Sequence, residues 1–295
     1  MKNIAFTVAF GSKKYLRMAR ALKKSINKHS PKVEFRIYGE GDFTPFDIGL
    51  PKDRKLHRKD FRYPKIEIIN KLNDPDTKYM FIDADSFVVG DITPFFDNLE
   101  LNQIIIEYVY HGDNGWNNQP ELQFTQACSK AGLSGIEPYS INGGFFMWHG
   151  YQKGFENAFI FLKRFTFEDP KGRHGEEYYY CAGLQKAKSN IKPLNYDEIK
   201  IGKMWGGRIS FKNGKLISSR YPKNDRLIQH YGALNYCHPA VQKMLRNYNE
   251  GETNVFEHLK FFRYSIKYFI KKVFIFLLGF YRKLNSLLFV SRKSL

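Results

Sequence analysis

Cysteine is scarce in this chain. Cys128, Cys181 and Cys237 are the only three in 295 residues, an odd number with no close pair of the kind structural zinc sites use. A disulfide framework and a zinc ribbon are therefore not expected, and a reduced, cytosolic setting is. A secretory core is missing as well: residues 1–9 offer one positive charge and then a short β-type run, too short and too polar for a signal peptide. Neither Gly-x-Gly-x-x-Gly nor Gly-Lys-Ser/Thr follows the first strand-like run, which argues against a dinucleotide fold and a P-loop. Acidic residues are absent from 259–295, where nine Lys and Arg supply half of the formal net charge of +18. The basic excess is thus partly a property of the tail, and no nucleic-acid motif accompanies it.

What is present suits a folded α/β chain. A hydrophobic content of 43% over 295 residues fills the core of one large domain or two small ones. Residues 4–10 read as a strand, and Gly11-Ser12 breaks it before helical spacing at Tyr15, Leu16, Ala19, Leu22 and Ile26. Residues 33–38 read as a second strand, residues 63–72 as a helix carrying Lys65 and Lys71, and residues 103–109 as a further strand. Residues 91–94 read as a turn, 151–165 as a helix, and 173–184 as another helix opened by Glu176 and Glu177, where capping is the plain explanation of the two acids. The loops at 111–119, with Trp116, and at 203–208 are places where a sugar ring would find aromatic surface.

The centre of the chain is the apolar run at residues 79–82, which ends in Asp83-Ala-Asp85. A buried strand delivers acidic groups to its carboxyl end in this way, where open α/β sheets bind ligands. The spacing alone says little, since a chain of this composition holds on the order of one such pair by chance. A second copy, Asp74-Pro-Asp76, reads as a turn. Two strand-end carboxylates supply hard oxygen ligands for Mg²⁺ or Mn²⁺, and an added imidazole favours Mn²⁺.

Four segments in order, Asp83-Ala-Asp85, Asn142-Gly-Gly144, Gly175-Glu-Glu177 and His230-Tyr-Gly232, resemble the successive motifs of GT-A fold glycosyltransferases. The spacing is most similar to glycosyltransferase family 8 and its bacterial surface-polysaccharide relatives, over about residues 3–235. The resemblance implies a mostly parallel sheet flanked by helices in residues 1–258, and transfer of a hexose-type sugar from a nucleotide-sugar donor, a UDP-sugar first among them. Asp83, Asp85 and His230 would hold Mn²⁺ or Mg²⁺. Ala9, Phe10 and Tyr15 would lie near the base, Lys65 near the diphosphate, and Ala84 between the two carboxylates in the donor site. Asn142 would meet the donor sugar, and Glu176 or Glu177 would lie beneath the anomeric carbon. Retention follows from the resemblance alone; inversion is the alternative. Two departures stand out: the first loop, Phe10-Gly-Ser-Lys13, has no acid, and no lysine follows His230-Tyr-Gly232 at the family's place. Lys203, Arg208 or Lys223 would then have to meet the diphosphate.

In residues 259–295 apolar positions recur with helical spacing while Arg263, Lys267 and Lys271 step four apart on another face. The longest apolar run there, 273–281, is far short of the roughly 20 residues that span a bilayer. This reads as a tail lying on an anionic membrane, placing the protein on the cytoplasmic face with a glycan or lipid-linked saccharide as acceptor; packing on a partner subunit is the alternative. A haloacid-dehalogenase-type phosphatase needs Thr or Val where Phe87 stands. A membrane-associated saccharide- or nucleotide-binding module without catalysis is a further alternative, against which the intact Asp83, Asp85 and His230 argue.

Overall fold

A computed structural model of the chain describes residues 1–10, 13–39, 63–72, 74–109, 128–129, 132–136, 140–164, 175–204, 208–221 and 225–251. The loop with Trp116, Lys223 and the basic tail lie outside the described residues.

A six-stranded sheet in the order β2-β1-β3-β6-β5-β7 forms the centre. Its strands are β1 (Lys2–Val8), β2 (Glu34–Tyr38), β3 (Thr77–Ile82), β5 (Gln103–Val109), β6 (Ser140–His149) and β7 (Asn190–Pro193). β1 pairs in parallel with β2 and β3, β6 runs antiparallel between β3 and β5, and β7 is parallel to β5. Five strands therefore share one direction and β6 opposes them. β3 is buried on both faces along nearly its whole length, which is why it reads as a continuous apolar run and not as an alternation.

The helices cover both faces. α1 (Lys13–His29) turns Met18, Leu22, Ser25 and Ile26 inward at helical spacing. α2 (Tyr63–Lys71) precedes β3, and the segment read as a turn at 91–94 continues into a short helix, α3 (Thr93–Asp97). Asp91 still makes the expected Asx turn, its carboxylate accepting the Thr93 N–H at 2.9 Å. Asp74 does the same for Asp76 at 2.8 Å, so the second Asp-x-Asp is a turn. α4 (Lys153–Arg164) and α5 (Gly175–Lys186) form a close helix pair behind β6. The chain ends its described part in α6 (Tyr196–Ile199) and α7 (Pro239–Asn247).

Two small sheets complete the architecture. One orders β4 (Ser86–Val88), β11 (Ile228–His230) and β8 (Ile201–Lys203); the other is the hairpin of β9 (Ile209–Lys212) and β10 (Lys215–Ser218). Residue 203, read from sequence as loop, is thus the end of a strand. Among the described residues no helix is long and apolar enough to cross a membrane.

An aromatic cluster fills the space between β1, β3, β6 and α4. Trp148 stacks on Tyr79 with centroids 4.9 Å apart and meets Phe155 and Phe6 edge-on at 5.0 and 5.8 Å. Each such pair contributes about 0.5–1.5 kcal/mol beyond the area it buries.

α4 and α5 approach so closely because glycines face each other at the crossing. A Cβ on Gly183 would stand 2.4 Å from the Gly154 carbonyl and 2.6 Å from the Ala158 nitrogen, both backbone atoms that cannot turn aside. Gly183→Ala is therefore expected to destabilise the fold by about 1–3 kcal/mol, read as a lower denaturation midpoint at unchanged slope; an unshifted midpoint would mean the helices separate without cost.

Candidate metal centre and donor site

The site lies at the carboxyl edge of β1 and β3, where the parallel strands leave the sheet. Asp83 follows β3 directly, and its N–H donates to the Gly144 carbonyl at 3.0 Å, which extends the β3–β6 ladder by one bond and fixes the start of the acidic turn. Asp85 precedes β4. Because β4 pairs antiparallel with β11, with Ser86 opposite His230, a residue 145 positions further on arrives beside the carboxylate. The Tyr231 N–H donates to the Asp85 carbonyl at 3.0 Å and continues that ladder.

The side chains then meet. His230 Nε2 lies 3.0 Å from Asp85 Oδ1, and one ligand atom from each of Asp83, Asp85 and His230 falls within 4.8 Å of the others. Two carboxylates and an imidazole fit a divalent ion of the Mn²⁺ type by donor chemistry as well as spacing.

Two aromatic rings hold β4 and β11 together beneath the ligands. Phe87 is fully buried and stacks on Tyr231 at 5.0 Å, with Tyr248 on from it at 5.9 Å. Phe87 is the residue that spoils the phosphatase pattern, and its place in the stack gives the physical reason for it. α1 secures the same strand: Ser25 Oγ accepts the Val88 N–H at 3.0 Å. None of these supports was singled out from sequence; the available signal was only that an aromatic stands within two residues of each ligand.

Behind the metal side lies a charged cluster. Lys65, on α2, donates to the Gly143 carbonyl at 2.8 Å and lies 3.2 Å from Asp83 and 3.6 Å from Glu176. Its ammonium also sits over the Phe81 ring at 4.7 Å. Lys71 of the same helix is exposed and pairs with Glu67. Glu177 accepts the Gly143 N–H at 3.2 Å, so both backbone groups of Gly143 are engaged by charged side chains. The pairing of β6 with β5 shifts register between Asn142 and Phe146, which releases residues 143–145 from β5. A Cβ on Gly143 would come within 3.1 Å of Glu176 and 3.5 Å of Lys65. The missing side chain at Gly143 thus makes room for the protein's own carboxylate and ammonium.

Other expected donor residues are placed as follows. Ala9 and Ala84 are buried, with the Ala9 N–H on the Tyr38 carbonyl. Phe10 and Tyr15 pack partly buried against the core at this edge. Asn142 is in β6 opposite Glu107, its side chain outside the described residues. Lys203 lies opposite His230 in the β8–β11 pairing, and Arg208 is exposed, its N–H on Ser219.

Burial opposes the charges of Asp83, Asp85, His230 and Lys65, and partners of opposite sign counter it to different extents. Burial pushes the Asp83 carboxyl up, with Lys65 offsetting only part of the shift. Burial pushes Asp85 the same way, but the adjoining His230 prevails and holds Asp85 below the ordinary carboxylate range. Burial pushes His230 down, and the Asp85 carboxylate reverses that, leaving its pKa raised. Burial likewise disfavours the Lys65 ammonium, while Asp83 and Glu176 raise it overall. In the metal-free protein the protonated form of His230 is therefore favoured beside Asp85.

A metal must displace that proton. Mn²⁺ affinity is accordingly expected to fall as the pH is lowered through the raised pKa of His230, and His230→Ala to weaken binding about tenfold or more and to flatten that part of the pH dependence. Calorimetric titration with Mn²⁺ across this range checks both; a pH-independent wild type would contradict the ligand assignment. The raised pKa also stabilises the metal-free fold below about 6.5, the ordinary His value, and that contribution disappears as pH rises through the folded value.

No family model and no curated protein sequence matches the chain. Solved structures do. The galactosyltransferase LgtC in complex with donor and acceptor sugar analogs superposes with a TM-score of 0.50 at 14% identity, over 85% of this chain and 97% of that one. A glycosyltransferase involved in glycosylation of the major capsid of PBCV-1 gives 0.46 at 14% identity, over 84% and 98%. GlyE of Streptococcus pneumoniae TIGR4 gives 0.47 at 13%, over 92% and 64%. The likeness is one of fold, and the fold is that of the GT-A glycosyltransferases.

Proposed function

We propose that this chain is a metal-dependent glycosyltransferase that moves a hexose-type sugar from a nucleotide-sugar donor, a UDP-sugar, to a glycan or lipid-linked saccharide acceptor with retention of configuration. The observation that carries the reading is the meeting of Asp83, Asp85 and His230 at the carboxyl edge of the sheet in a GT-A fold. The donor and acceptor sugar analogs of the galactosyltransferase structure support a sugar donor and acceptor for this chain. Within that fold we place the protein nearest glycosyltransferase family 8.

Asp83, Asp85 and His230 would hold Mn²⁺, or Mg²⁺ less well because of the imidazole. When bound, such an ion neutralises negative charge on a nucleoside-diphosphate leaving group. The chain's own groups then divide the remaining work. Ala9, Phe10 and Tyr15 flank the base at the β1–α1 edge, with Ala84 between the two carboxylates. Lys65 fixes Asp83 and Glu176 in place and keeps their charges balanced. Asn142 meets the donor sugar. Glu176 and Glu177 supply negative charge beneath the anomeric carbon; each is engaged by a protein donor, Lys65 or the Gly143 N–H, which suits residues that hold position. Retention needs no strong protein base, since the departing phosphate accepts the acceptor's proton.

The donor assignment is tested by Mn²⁺-dependent hydrolysis or transfer across a panel of nucleotide sugars. A UDP-sugar is expected to be turned over, and Asp85→Ala to abolish turnover while the fold persists by circular dichroism. Metal-dependent turnover by Asp85→Ala would refute the site.

The tail, residues 259–295, is proposed to bind anionic membrane and hold the enzyme at the cytoplasmic face, each Lys or Arg near the surface contributing about 1 kcal/mol. Removal of residues 259–295 is expected to release the protein from phosphatidylserine-containing vesicles in a flotation assay and to leave donor hydrolysis in solution intact. Undiminished flotation would show that the tail is not the anchor.

A further inference from the structure

A single divalent ion leaves a departing nucleoside diphosphate with residual negative charge, so a site that releases one needs a further cation. Lys65 is committed between two carboxylates and a carbonyl behind the metal side. A different lysine occupies the nucleotide side. Lys14, in the first turn of α1, reaches across to the segment immediately after His230-Tyr231-Gly232, where its ammonium donates to the Ala233 carbonyl at 2.6 Å. The same ammonium lies 5.3 Å from the centre of the Tyr236 ring and 5.5 Å from that of Tyr15. It is partly buried, and burial lowers its pKa against the opposing fields of Cys237 and Asp85.

Its surroundings differ from those of Arg20 and Lys24 on the same helix. Arg20 and Lys24 spend their charge on Glu250, at 3.2 and 2.7 Å. Among the described residues Lys14 is held by a neutral carbonyl and two ring faces, with no carboxylate in ion-pair contact. Among those residues the charge is desolvated without an ion-pair partner, and it lies against the ring of Tyr15, at the proposed base site, within the field of Asp85. An ammonium has three donors, so Lys14 can keep the Ala233 carbonyl and still offer two to an anion. The N-terminal end of α1, with its positive dipole, lies at the same edge of the sheet, since α1 follows β1.

We propose that Lys14 is a phosphate-binding residue of this site, which takes the diphosphate of the nucleotide-sugar donor and stabilises it as it leaves. The inference rests on the glycosyltransferase reading and replaces Lys203, Arg208 and Lys223, weighed above from sequence, as the cation for the diphosphate.

Two variants separate charge from structure. Lys14→Gln keeps a donor for the Ala233 carbonyl and removes the charge; Lys14→Arg keeps the charge. With Mn²⁺ present, UDP, GDP, ADP and CDP are titrated calorimetrically against wild type, and the tightest binder and its parent nucleoside are then titrated against both variants. Lys14→Gln is expected to lose about tenfold or more in nucleoside-diphosphate affinity, with nucleoside affinity and Mn²⁺ affinity unchanged, and Lys14→Arg to recover most of the loss. Equal losses for nucleotide and nucleoside would make Lys14 a strut for the 233–235 turn and overturn the proposal, as would an unchanged Lys14→Gln. Should Lys14→Gln not fold, Lys14→Met takes its place under the same criteria. Wild type that binds none of the four diphosphates would instead overturn the glycosyltransferase reading, and this inference with it.

Discussion

Everything at this site depends on the pairing of β4 with β11. β4 is three residues long and begins at the residue after Asp85; β11 is three residues long and ends at His230. Antiparallel register makes Ser86 and His230 partners, and the Tyr231–Asp85 hydrogen bond carries the pairing one step further. Such short strands hold little by themselves. Their stability comes from the stack of Tyr231 and Tyr248 on Phe87, from the Ser25 hydroxyl on Val88, and from β8 along the other side of β11. A candidate metal centre assembled from distant parts of the chain thus rests on packing around β4 and β11.

The charged groups of the site run His230, Asp85, Asp83, Lys65, Glu176, so two carboxylates stand side by side with the imidazole on one flank and an ammonium on the other. Burial disfavours the charge of His230, Asp85, Asp83 and Lys65; opposite charges outweigh it at His230, Asp85 and Lys65 and offset it only in part at Asp83. Removing one member leaves a buried charge uncompensated, which costs more than the pair itself contributes. A divalent ion fits this order because it can replace the His230 proton as the positive element beside Asp85. Lys65 serves a different purpose. It is fixed to Gly143 and Glu176 as well as to Asp83, so it ties the metal side to the helix start that carries the two glutamates.

The centre of the main sheet was legible in the sequence because β3 is buried on both faces and appears as an unbroken apolar run at residues 79–82, whereas the edge strand β7, largely exposed, left no such run and was not read. α1 was legible through its 3.6-residue spacing. The meeting of Asp83, Asp85 and His230 was legible only jointly: Asp83-Ala-Asp85 alone has the frequency of chance, and His230 gains meaning from its place after the other motifs. The bulge at 143–145 and the burial of Lys65 were not legible, since both are set by tertiary contacts with α2 and α5 and not by local pattern. The small sheet was hidden for a related reason, its strands being too short to show a period. The β9–β10 hairpin is a contrasting case: Asn213-Gly214 takes positive φ at both positions, 51° and 76°, a turn that ordinary hairpin rules read directly from sequence.

The central claim is spatial and chemical at once: three residues drawn from two distant stretches of chain hold one divalent ion. Anomalous diffraction at the manganese edge from Mn²⁺-soaked crystals tests it most directly. The account predicts one strong peak in contact with the carboxylates of Asp83 and Asp85 and with Nε2 of His230. A peak that leaves His230 out, or no peak at this edge of the sheet, would contradict it.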